Sequence, residues 1–241
     1  MTPDITLIAT AAIIAAAGLI RGYAGFGSGL IMVPGLALLH DPVTAVVLIP
    51  LIEIPASAML LPQAARHADW RTVLPLGLAM ALAVPVGVWL LLNTDADVLK
   101  ICVAASILLF AALLATGWHY PGRPGPTATV LTGLVSGLCG GAFALPGPPI
   151  TIMLMSSGTL AREIRAAMIA VLGVTVLYRV AIFAATGSIT RDILIPAAVG
   201  APFYLATIWV GGRWFKTTSE GSFRNVLLVL VSGMAVALLL R

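Results

Sequence analysis

The chain has 241 residues, 60% of them hydrophobic and 9% charged, with a formal net charge of +4 and a mean hydropathy of +1.09. A soluble domain carries about 25% charged residues, so this composition excludes an ordinary water-facing surface, and most of the exterior must face lipid. The charges lie mostly between apolar runs, which excludes a nucleic-acid patch, and Cys102 and Cys139, both in apolar sequence, do not suggest a disulfide framework or metal site.

The first apolar run, 5–22, is preceded by Asp4 and by no basic residue, so it reads as a retained first helix rather than a leader. A break follows over Gly25-Phe26-Gly27-Ser28-Gly29, then a short apolar piece, 30–40. A span needs roughly 20 apolar residues, so this piece is expected to be re-entrant. Further helices are predicted over 42–61, 72–92 and 98–118. The turn-rich segment from Tyr120 to Pro126 then reads as a linker. The order repeats after it: helix 127–138, a break over 140–144, a short piece to Ser157, and helices over 163–185, 193–214 and 223–240. The reading is an all-α polytopic membrane protein with a first half 1–119, a linker 120–126 and a second half 127–241. It has about 8 full spans, plus two short or re-entrant segments.

The halves are related in sequence. Gly18, Leu19, Gly22, Gly25, Leu30 and Pro34 match Gly133, Leu134, Gly137, Gly140, Leu145 and Pro149 at one constant offset. Ala45, Leu51 and Pro75 match Ala166, Leu172 and Pro196 at a second. Matched Gly/Pro-interrupted segments in two halves point to a transporter's binding site. Charge placement bears on orientation. Arg66 and Arg71, Arg162 and Arg165, and Arg213, Lys216 and Arg224 mark cytoplasmic turns, whereas Asp95, Asp97 and Lys100 mark an outer one. This favours inverted repeats over a parallel arrangement, which would put Arg162 and Arg165 outside.

A helix N-terminus offers free N–H groups and a positive dipole end to an anion. The substrate-binding candidates are therefore Gly25, Gly27, Ser28 and Gly29 at the first break and Gly140, Gly141 and Ala142 at the second. Ser28 is expected to cap its half-helix or donate its hydroxyl to the anion. The competing reading is that the glycines only let helices pack closely. Arg21, whose repeat partner is Ser136, either pairs with an anionic substrate or snorkels from a helix end. Glu53 and Arg179 are ionisable intruders in apolar runs on equivalent helices. Together they are expected to form an ion pair between the halves, with Glu53 also a candidate proton carrier and Arg179 a candidate anion ligand. His40, His67 and His119 fall near segment ends, and no nucleophile–base or metal-ligand set appears, so no enzyme, catalytic residue or cofactor is expected.

The duplicated Gly-x-x-x-Gly-x-x-Gly motif, each copy followed by a proline, and the Asp69-Trp70-Arg71 segment resemble the TauE/SafE family over nearly the whole chain. The glycine run after the third motif glycine is altered, to Phe26-Gly27-Ser28-Gly29 and to Gly141-Ala142-Phe143-Ala144. The resemblance implies a multi-pass bacterial inner-membrane protein that moves small sulfur-containing or organic anions such as sulfite or sulfonates. The expected function is a secondary transporter working by alternating access between two halves in the lipid bilayer, with a proton or cation as a possible coupling ion. The alternative is a non-transporting subunit or scaffold that binds partner helices.

Overall fold

The computed structural model describes residues 3–115, 124–155 and 160–217. The expected last helix, 223–240, and most of the linker lie outside them. The described residues form helices α1 (Pro3–Ala24), α2 (Ser28–Ala37), α3 (Pro42–Ala65), α4 (Trp70–Asn93), α5 (Ala96–Ala115), α6 (Pro126–Phe143), α7 (Gly147–Met155), α8 (Ala161–Ala185) and α9 (Arg191–Lys216). Six of them, α1, α3, α4, α6, α8 and α9, are long and apolar enough to cross a membrane. Large apolar side chains point outward, as in the stripe of Leu74, Leu78 and Leu82 along α4. In water such a stripe would be an aggregation liability; against lipid it is an ordinary solvent contact.

Each half opens with a helix that breaks and doubles back. The short helices α2 and α7, of 10 and 9 residues, reach only about 15 Å, half a bilayer core. Thr10 on α1 meets His40 after α2 at 3.3 Å, which closes the first hairpin at its open end. The first turn is made by Gly25 and Gly27, both at positive φ (82° and 93°), where a side chain would be strained. The second turn has no such glycine. Helix α6 runs through Gly140, Gly141 and Ala142 to Phe143, and the chain turns at Ala144 (φ 52°), Leu145 and Pro146. The break therefore falls later than the expected 140–144. Pro146 sets it, because proline disfavours helix at the residue before it and cannot supply an N–H.

The halves interlock. Helix α1 packs along α9 of the other half, and α6 packs along α4 in the corresponding way. The motif glycines make these contacts possible: a Cβ at Gly22 would lie 2.2 Å from the Ile208 carbonyl oxygen, and one at Gly137 would lie 2.4 Å from that of Met80. Backbone-to-backbone approach of this kind needs residues without side chains. Between the two pairs, α3 and α8 run antiparallel, since Glu53 meets Arg179, Ser57 lies by Gly173, and His67 meets Arg162. The two breaks also meet. Gly29 lies against the Ala144 carbonyl, and Gly147 against the Phe26 ring.

Candidate functional site

At the meeting point of the two breaks, three ionisable side chains are buried together. Glu53 from α3, Arg21 from α1 and Arg179 from α8 are each 2–3% exposed. The carboxylate of Glu53 accepts hydrogen bonds from Arg179 Nη2 at 2.9 Å on Oε2 and from the Ser28 hydroxyl at 2.6 Å on Oε1, and it is ion-paired with Arg21 Nη1, 3.6 Å from Oε1. Arg179 Nη1 also donates to the Gly140 carbonyl at 3.4 Å. Two guanidiniums thus share one carboxylate, leaving a surplus positive charge in the protein interior. Both Nε donors, of Arg21 and of Arg179, are buried without a hydrogen-bond partner among the described residues. Buried donors are almost always satisfied, so two unpaired ones on converging guanidiniums call for an explanation.

These groups line a cavity together with Gly27, Ser28 and Gly29 at the start of α2 and Pro146, Gly147 and Pro148 at the start of α7. Both half-helices turn their positive ends toward it. They are unequal donors, because Pro148 and Pro149 lack an N–H whereas the first turn of α2 has no proline. Ser28 is not an N-cap; Gly27 holds that position and Ser28 gives its hydroxyl to Glu53. The cavity measures only about 20 Å³, room for about one water, with Glu53 in its lining beside both guanidiniums.

Glu53 and Arg179 lie as an ion pair at 2.9 Å, and Arg21 is buried beside them. Gly27, Ser28 and Gly29 border the cavity. Gly25 instead faces Arg165. Gly141 lies inside α6 against the Val84 carbonyl of α4, and Ala142 is buried in the same helix. Gly140 contributes its carbonyl to Arg179. Sequence reasoning missed Tyr204, fully buried on α9 within electrostatic reach of Glu53 and Ser28; a tyrosine in an apolar helix gives no warning of this. It also read Arg165 only as a topology charge. Its Nη2 donates to the Gly22 carbonyl at 2.6 Å and its Nε to that of Tyr23 at 3.1 Å, which satisfies carbonyls left open where α1 ends.

A multi-pass helical protein with a buried, net-positive polar centre between two interrupted helices belongs to the class of integral-membrane transporters. The family described as sulfite exporter TauE/SafE matches residues 10–238, and the chain belongs to it. The chain is also similar to a probable sulfite/organosulfonate exporter TauE of Cupriavidus necator, at 28% identity over 97% of this chain and 94% of that protein. No solved structure matches.

Proposed function

We propose that this chain is a secondary transporter that exports a small sulfur oxyanion, sulfite or an organosulfonate, across the bacterial inner membrane. The observation that carries this reading is the pair of buried guanidiniums, Arg21 and Arg179, with one carboxylate between them and both Nε donors unpaired. A monoanion entering there neutralises the surplus charge, and the trigonal oxygens of a sulfonate match the fork of an arginine. Ser28 and the α2 N-terminus supply the remaining donors. Binding requires the Glu53 carboxylate to give way or to accept a proton, and the α2 and α7 starts to part, because the cavity holds only a water as it stands.

The antiparallel course of α3 and α8 supports inverted repeats about an axis in the membrane plane. The basic turns then all fall on one face, which the positive-inside rule makes cytoplasmic. Alternating access follows from exchange between two mirrored conformations. The glycine-packed pairs α1–α9 and α4–α6 each combine both halves, so they are the moving bodies in this reading, rather than one sequence half rocking on the other. Export needs no coupling ion. Expelling one negative charge gains about 2.3 kcal/mol per 100 mV of inside-negative potential. The scaffold alternative loses its surface, because Gly18 and Gly22 face α9 and Gly133 and Gly137 face α4 within the same chain.

The test is flux in proteoliposomes loaded with radiolabelled sulfite or ethanesulfonate under an imposed potential. Protein-dependent efflux that grows with a lumen-negative potential is expected. Absence of movement of either anion under any gradient contradicts the reading.

A further inference from the structure

A second, much larger cavity of about 700 Å³ opens where the C-terminal ends of α3 and α9 meet the start of α8. His67, Arg162, Arg165, Arg213 and Lys216 line it, and no aspartate or glutamate does among the described residues. The side chains are held in place: Arg162 contacts His67, Arg165 stacks on Phe215 at 4.6 Å, and Arg213 stacks on Trp209 at 3.6 Å. One face of α8 links this cavity to the central cluster. Arg165 and Ile169 line the large cavity, whereas Leu172 and Arg179 line the small one. With Val176 they follow the i+4, i+3 spacing of a single helix stripe. The Cα atoms of the two arginines are separated by about 21 Å along the axis, and Ile169 and Leu172, both buried, lie between them on this stripe.

The repeat register that pairs Ala45 with Ala166 and Pro75 with Pro196 gives each of these residues a counterpart near the other end of the molecule. Arg162 corresponds to Asp41, Arg165 to Thr44, Arg213 to Leu92, Lys216 to Asp95 and His67 to Ser188. The cationic character is therefore not part of the repeat. It belongs to this cavity, while the equivalent positions in the register carry carboxylates or no charge. A topology signal needs basic residues only in a loop; it does not need them arranged around a cavity or tied to α1.

Resting on the reading of the chain as a sulfur-oxyanion transporter, we infer that this cavity is a second anion site, a vestibule that collects the sulfite or sulfonate on the basic face before it passes Ile169 and Leu172 to the Arg21–Arg179 centre. A cleft lined by one sign of charge raises the local concentration of its counter-ion, and salt weakens it.

Equilibrium dialysis of the purified chain in non-ionic detergent against radiolabelled sulfite, and separately ethanesulfonate, tests this. Two classes of site per chain are expected, the weaker losing at least tenfold in affinity as salt is raised. Arg162→Gln/Arg213→Gln/Lys216→Gln should abolish the weaker class and keep the tighter one; Arg179→Ala should do the reverse. Arg162→Lys/Arg213→Lys, which keeps the charges, should retain both. A single class in the wild type, or two unchanged classes in the triple variant, overturns the vestibule while leaving the central site standing. Loss of any Arg179-dependent class instead removes the transporter reading beneath it. If phosphatidylglycerol occupies the cavity and sulfite does not displace it, the cavity is a lipid site and the inference fails.

Discussion

Arg179 donates to Glu53 at 2.9 Å from a position that has no symmetric equivalent. The repeat register matches Glu53 with Val174 and Arg179 with Ala58, so the pair bridges the halves without being repeated. Arg21 likewise matches Ser136, a buried serine whose hydroxyl has no partner among the described residues. The cluster is therefore asymmetric in the repeat register. Removing the carboxylate, as in Glu53→Ala, leaves two buried guanidiniums uncompensated. It should lower unfolding stability by about 3–5 kcal/mol, read by thermal unfolding in detergent.

Arg179→Lys keeps the charge beside Glu53 but loses the planar fork whose two Nη atoms reach the carboxylate and the Gly140 carbonyl separately. Sulfite efflux from proteoliposomes should fall at least about tenfold, which is about 1.4 kcal/mol, with an unchanged gel-filtration profile. Efflux at the wild-type rate would return Arg179 to a purely structural ion pair.

Ser28 gives its hydroxyl to a charged acceptor, a bond worth about 1.5–3 kcal/mol. In the proposed bound state the same hydroxyl turns to the anion in place of Glu53, so Ser28→Ala should weaken sulfite binding by about ten- to a hundredfold. Ser28→Thr, which keeps the hydroxyl, should remain close to wild type. Isothermal titration of the three proteins separates these outcomes.

Gly22→Ala and Gly137→Ala drive a methyl group into the carbonyls of Ile208 and Met80. Each should destabilise by about 1–3 kcal/mol through overpacking, while the anion affinity of the protein that remains folded stays the same. Gly77→Ala is the control. A Cβ there meets nothing within 4 Å, and relief of glycine's helix penalty should leave stability equal or higher. Thermal unfolding of the three variants checks the order.

The chemistry of the centre was legible in the sequence because ionisable residues inside apolar runs are costly and rare. Glu53, Arg179 and Arg21 stood out for that reason, and Ser28 stood out by sitting in a glycine-rich break. Which glycines break a helix and which pack it was not legible. Gly22 and Gly25 read alike in the motif, yet the first faces an α9 carbonyl and the second turns the chain at positive φ. In the second half, Gly140 and Gly141 remain helical: α4 lies against Gly141, Gly140 faces Pro146, and Pro146 ends the segment later. Tyr204 and the carbonyl clamp of Arg165 depend on which helices become neighbours across the halves, and no local pattern encodes that.

The most direct test of the central claim is thermal unfolding of Glu53→Ala with and without sulfite. If Glu53 occupies the anion's place, saturating sulfite should recover much of the lost stability, since a ligand at one hundred times its Kd contributes about 2.7 kcal/mol. It should also stabilise this variant more than the wild type. An unfolding temperature of Glu53→Ala that neither sulfite nor ethanesulfonate moves would contradict the account.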